Sequence, residues 1–131
     1  MACLDTDFLV ALMRGQPDAT RRARELDSEG ARKTTTPVNA FELYLEAHLS
    51  ESRDVNIQLV GEVLASLEIL ELDEKSCEMA GGIAAALKRE GRSIGARDSL
   101  IAGVAQRFDQ TLVTRNTQHF SRIEGLKVDT W

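Results

Sequence analysis

Apolar positions recur along the chain in short segments whose spacing alternates between a strand pattern and a helix pattern. Strands are predicted at 2–4, 33–36, 68–72, 111–114 and 126–128. Helices are predicted at about 8–13, 17–30, 37–49, 56–67, 73–91 and 96–108, with one helical turn before the last strand. Because strands alternate with helices, the pattern predicts an α/β fold with a small, mostly parallel sheet of four or five strands flanked by helices.

Proline and glycine mark several of these boundaries. Pro17 and Pro37 suit the first position of a helix, and Gly30 suits the residue that ends one. Gly81 and Gly82 stand together inside a predicted helix, where each costs about 1 kcal/mol relative to alanine. We therefore expect a close backbone contact at this pair.

The chain of 131 residues has the composition of an ordinary folded protein, with 43% hydrophobic and 28% charged residues. This composition excludes a disordered tail, a collagen-like fibre and a disulfide miniprotein. No repeat, low-complexity stretch or linker interrupts the chain, so we expect a single domain over residues 1–131. The formal net charge of −5 argues against a protein that coats long nucleic acid through bulk positive charge.

Cysteine usage and the start of the chain predict a cytoplasmic protein. Cys3 and Cys77 lack the spacing of a metal or redox motif, and we expect both to be buried free thiols in a reducing compartment. Asp5 and Asp7 break the first apolar run at once, which argues against a secretory signal. No apolar stretch approaches the roughly 20 residues of a membrane span.

Three acidic residues occupy positions where a carboxylate is unexpected. Asp5 directly follows an apolar strand, where ligand crevices form if that end is the carboxyl edge of the sheet. Glu42 and Asp98 each share a helical face with apolar residues, so both are expected to point inward. Asp98 also lies in the first turn of its helix, where the helix dipole favours an anion. Buried carboxylates are paired with Arg or Lys, protonated or bound to a metal, because isolated charge is costly to bury.

The residues alone leave two explanations of these acids open. They could form separate structural pairs, with Arg97 serving one and Lys33 or Arg115 another. Alternatively they share one site, and oxygen ligands without a cluster of Cys or His favour Mg²⁺ or Mn²⁺ over Zn²⁺. Such a site suits phosphodiester hydrolysis, because the metal lowers the pKa of a bound water and neutralises charge on the phosphate oxygens.

Four segments spread over the whole chain resemble, in the same order, the motifs of PIN-domain ribonucleases, specifically the VapC-type toxins of toxin–antitoxin pairs. They are LDTD at 4–7, NAFEL at 39–43, GARDSLIA at 95–102 and LVTRNTQHF at 112–120. None of the four is specific by itself, but their order and spacing together are. The resemblance implies a single PIN-like domain.

By this resemblance, five residues form the site. Asp5, Glu42 and Asp98 become the metal-binding acids, with Mg²⁺ or Mn²⁺ as the cofactor. Asn116 and Thr114 position a water that attacks the scissile phosphate in line. The implied products carry a 5′-phosphate and a 3′-hydroxyl.

Three positions depart from the family pattern. Asn116 stands where many members have a fourth acid, and His119 stands where members often have Asp. We therefore expect one well-bound ion in the absence of RNA. Asp7 stands where Asn or Ser is usual, and a role in capping the following helical turn is favoured over a place at the rim of the pocket.

The resemblance implies a metal-dependent endoribonuclease with RNA as its substrate and a small VapB-type antitoxin as its inhibitor. It also implies a homodimer, in line with apolar faces on helices 17–30 and 53–67 that are wide for so small a sheet. Once a metal offsets the acidic cluster, basic residues are numerous enough for a local phosphate-binding rim. The candidates are Arg21, Arg22, Arg24, Arg32 and Lys33.

Two alternatives remain. Asp5-Thr6-Asp7 also fits the start of haloacid-dehalogenase-like phosphohydrolases, but Leu9 stands where that family needs Thr or Val. That family also needs a late lysine beside paired acids, and Lys127 is the only lysine of this chain after Lys88. The non-enzyme alternative is a PIN-like module that binds RNA or protein and has lost strong metal binding. Asn116 and His119 are the residues that favour it.

Overall fold

Five short parallel strands form one sheet in the computed structural model, which describes residues 1–131. The strands are β1 (Ala2–Leu4), β2 (Lys33–Thr35), β3 (Glu68–Ile69), β4 (Thr111–Val113) and β5 (Val128–Asp129). They are arranged in the order β3-β2-β1-β4-β5, and every neighbouring pair is parallel. The predicted α/β fold with a parallel sheet is confirmed.

Seven helices connect these strands. They are α1 (Thr6–Met13), α2 (Pro17–Ser28), α3 (Pro37–Leu49), α4 (Arg53–Ala65), α5 (Glu74–Arg89), α6 (Ala96–Arg107) and α7 (Thr117–Phe120). Helix α4 begins one turn before its predicted start, whereas β3 ends well before residue 72 because it pairs only with the short strand β2. None of the helices combines the length and the apolar character needed to span a membrane.

The sheet has a hydrophobic core on each face. Because successive side chains of a strand point to opposite faces, Leu4 and Val113 pack with helices α1 to α4, whereas Cys3 and Leu112 pack with α5 to α7. All four side chains are almost completely buried. Strands β1 and β4 are therefore the centre of the domain.

The two cysteines differ in exposure. Burial raises the pKa of the Cys3 thiol to about 12, and the neighbouring Asp5 carboxylate contributes to the rise. Cys77 is exposed on α5, so the prediction that both thiols are buried is wrong for this residue. Ser76 takes the inward position instead, because its hydroxyl and backbone N–H both donate to the Asp73 carboxylate that caps the helix.

A close contact between α5 and α6 lies at Gly103 rather than at the predicted glycine pair. A Cβ atom at Gly103 would lie 2.6 Å from the Ala80 Cβ and 2.8 Å from the Ser76 carbonyl oxygen. Gly81 and Gly82 are exposed, and a Cβ at either would meet nothing within 4 Å. The glycine pair lies on the outer side of α5, so the expectation of a close contact there is wrong.

We expect these glycines to respond oppositely to alanine. Gly103→Ala should lower the free energy of unfolding by about 1–3 kcal/mol, because α5 and α6 would have to separate. Gly82→Ala should raise it by up to about 1 kcal/mol, because alanine favours the helix and has open space. Urea unfolding followed by circular dichroism measures both. Equal effects of the two substitutions would contradict the close packing at Gly103.

Candidate active site

The carboxyl ends of the three central strands lie at one edge of the sheet. Asp5, Thr36 and Thr114 directly follow β1, β2 and β4. β2 and β3 lie on one side of β1, whereas β4 and β5 lie on the other, so the chain reverses its winding between β1 and β4. In open α/β sheets, ligands bind in the crevice at such a point.

Asp5 is the most deeply buried acid at this edge, with 7% of its surface exposed. Its Oδ1 accepts hydrogen bonds from the backbone N–H of Thr6 and from Nδ2 of Asn39, both at 2.9 Å. Its Oδ2 accepts a hydrogen bond of 2.7 Å from the Thr114 hydroxyl. Burial raises the pKa of Asp5 to about 6, and the Asp7 carboxylate adds to the rise, whereas these hydrogen bonds oppose it.

Asn39 links the first two motifs, and its role was missed from the sequence. Its Nδ2 donates to Asp5 Oδ1 and to the Thr6 hydroxyl, each at 2.9 Å. Its Oδ1 accepts from the Thr36 hydroxyl at 2.7 Å, and Thr36 in turn caps α3 in a capping box. The sequence signal for this arrangement is a threonine followed by Pro37 at the first helical position and a polar side chain three residues after the cap.

Glu42 faces the same crevice from α3. Its Oε1 accepts a hydrogen bond of 2.8 Å from the Thr6 hydroxyl, and its Oε2 lies 3.8 Å from the Arg97 guanidinium. Glu42 is half-buried, but Leu45 and Leu49, which lie three and seven residues further along the same helical face, are exposed. The inward position of Glu42 therefore depends on Thr6 rather than on an apolar surrounding.

Asp98 lies in the first turn of α6, as predicted, and contacts two side chains of the fourth motif. Its Oδ2 is 2.8 Å from Nδ1 of His119 and accepts a hydrogen bond of 3.2 Å from Nδ2 of Asn116. Gly95 caps this helix with a φ of 93°, a conformation that favours glycine. Asp98 and Asn116 are thus brought together, and His119 lies beside them.

Asp7 lines the crevice and is not the helix cap. Asp5 is the N-cap of α1, so the favoured interpretation of Asp7 as a cap is wrong. Asp7 Oδ2 accepts a hydrogen bond of 2.8 Å from the backbone N–H of Arg115, whereas its Oδ1 is buried without a partner. Thr114 is fully buried below these acids, where its hydroxyl oxygen accepts from the backbone N–H of Asn116 at 2.9 Å.

Several of these side chains line one cleft of about 470 Å³, whereas Asn39, Thr114 and His119 lie behind its lining. Its acidic residues are Asp5, Asp7, Glu42, Glu46 and Asp98. The carboxylates are separated by the hydroxyl, amide and imidazole groups that bind them, and no three of the chain's Asp, Glu, His and Cys side chains form a ready metal-binding group.

Separate ion pairs account for only part of this acidic charge. Arg97 contacts Glu42, but Lys33 pairs with Asp27 and the Arg115 guanidinium pairs with Asp18. The cleft therefore combines a desolvated carboxylate, a buried carboxylate oxygen without a partner and an excess of oxygen donors. These properties fit a hard divalent cation such as Mg²⁺ or Mn²⁺.

The predicted phosphate-binding rim is wrong, because none of its five residues lines the cleft. Arg22 pairs with Asp129, and Arg32 pairs with Glu68. The basic residues that do line the cleft are Arg14 and Arg115. Sequence reasoning missed both, because their position depends on how the end of α1 and the loop after β4 meet.

Comparison with known proteins gives the family. The model of the PIN domain matches residues 2–126. The chain belongs to the PIN domain family. This assignment confirms the resemblance drawn from the four motifs and removes the haloacid-dehalogenase-like alternative.

Curated relatives of this PIN domain are similar over nearly their full length. The tRNA(fMet)-specific endonuclease VapC of Shigella flexneri is 28% identical over 128 residues, which cover 98% of this chain and 96% of the relative. The protein of the same name from Salmonella typhimurium is 29% identical over the same shares.

Solved structures show the same fold. The VapBC2 complex of Rickettsia felis, bound to a promoter DNA fragment, contains a chain that matches with a TM-score of 0.90 at 28% identity. The match covers 99% of this PIN domain and 98% of that chain. The DNA-bound VapBC complex of Salmonella typhimurium matches with a TM-score of 0.89 at 28% identity, over 99% of this chain and 97% of that one.

The raised pKa of Asp5 predicts a pH-dependent stability in metal-free buffer. Between the ordinary value of 3.8 and about 6, the folded protein holds a proton on Asp5 that the unfolded chain releases. This contribution to stability is therefore lost as the pH rises through that interval. Asn carries no charge at this position, so the free energy of unfolding of Asp5→Asn should rise relative to that of the wild type over the same interval. Once Asp5 is ionised at pH 7, the gain should reach about 3 kcal/mol.

Urea unfolding at a series of pH values measures this difference. Asp54→Asn is the matched control, because Asp54 is exposed on α4 and should show no comparable trend. A stability difference between Asp5→Asn and the wild type that stays constant from pH 4 to pH 7 would argue against a desolvated carboxylate at Asp5.

Proposed function

We propose that this PIN domain is a metal-dependent endoribonuclease of the VapC type, which hydrolyses RNA phosphodiester bonds and is inhibited by a VapB-type antitoxin. The observation that carries the proposal is the convergence of Asp5, Glu42 and Asp98 on one cleft at the winding reversal of the sheet. The names of the relatives, which describe VapC endonucleases, support the same activity.

Asp5, Glu42 and Asp98 would hold Mg²⁺ or Mn²⁺, and Asp7 adds a further carboxylate to the cleft wall. A metal bound there would lower the pKa of a coordinated water and offset charge on the scissile phosphate. Ionised carboxylates are the form that binds a cation, so metal binding is favoured above the pKa of about 6 that burial gives Asp5.

The chain's own residues orient these acids. Thr114 acts through Asp5, because its buried hydroxyl donates to Asp5 Oδ2. Thr6 acts on Glu42 in the same way, and Asn39 holds both Asp5 and Thr6. Such hydrogen bonds fix the rotamers of metal ligands and influence metal affinity.

Asn116 is the residue of the site that we place next to the attacking water. Its amide lies in the cleft wall and donates to Asp98 Oδ2, while its backbone N–H is held by Thr114. An amide next to a metal-binding acid can accept a hydrogen bond from a water and align it with the phosphate.

The proposed partner is a VapB-type antitoxin, and the solved VapBC complexes of Rickettsia felis and Salmonella typhimurium support it. We also propose a cytoplasmic location and a single domain over residues 1–131. The two free cysteines, which form no disulfide, are in line with a reducing compartment.

Asp98→Asn should abolish RNA cleavage while leaving the fold intact, because it removes a carboxylate but retains polar contacts to His119 and Asn116. EDTA should have the same effect on the wild type. Denaturing gel electrophoresis of a labelled single-stranded RNA measures cleavage, and circular dichroism checks the fold. Glu78→Gln is the matched control, because Glu78 is exposed on α5 outside the cleft lining and its loss of charge should leave activity unchanged. Full cleavage in EDTA would refute the metal mechanism.

One observation favours the alternative of a binding module without strong metal binding. Asp98 contacts His119 and Asn116, and no three acidic, His or Cys side chains form a ready metal-binding group. Calorimetric titration with Mn²⁺ separates the two functions. Saturable binding that is lost in Asp5→Asn supports the enzyme, whereas no saturable binding, or binding that Asp5→Asn leaves unchanged, supports the module.

We propose that the protein is a homodimer, because large apolar side chains on α3 and α4 lie exposed. Leu49 is 79% exposed, Val55 61% and Phe41 55%. Apolar exposure of this kind marks protein interfaces. Light scattering at low micromolar concentration should give twice the mass of one chain, and a monomer alone would contradict the proposal.

A further inference from the structure

We infer that Arg14 and Arg115 form a phosphate-binding subsite on the flank of the acidic cleft, where they hold an RNA phosphate adjacent to the scissile one. This inference rests on the proposed function, because it names the part of that cleft which grips the substrate. It replaces the predicted rim, whose arginines and lysine lie elsewhere.

The charge distribution of the cleft favours such a subsite. Five carboxylates line it, and they repel an approaching RNA backbone within the screening distance of about 10 Å. Arg14 and Arg115 are the only Lys or Arg residues in its lining. These two guanidinium groups are therefore the side chains of the lining that can hold the phosphates of a strand lying across the acids.

Arg14 has its full charge available. It caps the C-terminal end of α1, is exposed and forms no ion pair. Other basic residues near the cleft lie outside its lining, including Arg97, which contacts Glu42, and Arg22, which pairs with Asp129. A guanidinium without a carboxylate partner loses no ion pair when it binds phosphate.

Arg115 is held in place by its neighbours. Its Nε donates a hydrogen bond of 2.8 Å to the main-chain oxygen of Trp131, and its guanidinium lies 3.6 Å from the centre of the Trp131 ring. A longer contact of 3.4 Å joins it to Asp18. Because the side chain is ordered before RNA binds, less conformational entropy is lost on binding.

Trp131 supports Arg115 rather than stacking on a base. One face of its ring lies against the guanidinium, and its ring packs against Phe8 with centroids 5.4 Å apart at an interplanar angle of 67°. With these contacts in place, the subsite recognises the phosphate and contributes affinity without a preference for sequence.

The salt dependence of RNA binding tests the subsite. All proteins carry Asp98→Asn so that RNA is not cleaved, and the probe is a short labelled single-stranded RNA followed by fluorescence anisotropy. For single strands, each phosphate contact contributes about 0.7 to the slope of log affinity against log salt. Arg14→Ala and Arg115→Gln should each reduce that slope by about this amount.

Arg24→Ala is the matched control, because Arg24 is also exposed and unpaired but lies on α2 outside the cleft lining. Its slope should equal that of the parent protein. Slopes for Arg14→Ala and Arg115→Gln that equal the Arg24→Ala slope overturn the inference. Circular dichroism checks that each variant is folded, and Arg14→Lys, which retains the charge, should restore the slope.

The outcome is separable from the proposed function. If the wild type cleaves RNA and the slopes do not change, the subsite is refuted and the nuclease stands. If the wild type does not cleave RNA but the slopes fall as expected, the subsite is supported and the endoribonuclease proposal fails.

Discussion

The burial of one carboxylate, that of Asp5, constrains how the whole carboxyl edge of the sheet is built. A charge at the end of a central strand is costly unless polar groups surround it. Three separate elements supply those groups: Thr6 from α1, Asn39 from α3 and Thr114 from the end of β4. The same network then positions Glu42 through Thr6 and Asn116 through Thr114. The cleft is thus assembled around Asp5, and its hydrogen bonds only partly offset the desolvation.

This arrangement links stability to function. The buried carboxylate weakens the metal-free fold at neutral pH, because the ionised form is desolvated. A bound cation would remove that penalty, since it replaces solvent as the partner of the charge. Such a penalty is common where a site is organised in advance of its ligand, and here it lies at the end of β1, whose side chains are almost completely buried.

Residues whose position follows from local periodicity were predictable from the sequence. Asp5 after an apolar strand and Asp98 at the start of a small-residue helix were both found in this way. Asn39 was not recognised, because its importance depends on a contact with Asp5 that is 34 residues away along the chain. Gly103 was missed for the same reason: its need for glycine comes from Ala80 on another helix. The basic rim failed because charge along a sequence shows neither which basic residues are already paired nor which of them face the cleft.

Trp131 has one further consequence. It is the only tryptophan of the chain, it lines the cleft, and a guanidinium lies directly over its ring. The tryptophan fluorescence of the protein therefore comes from a single indole whose emission is sensitive to the charge beside it. Any ligand that draws Arg115 away from the ring changes that emission, so the molecule contains its own optical reporter of cleft occupancy.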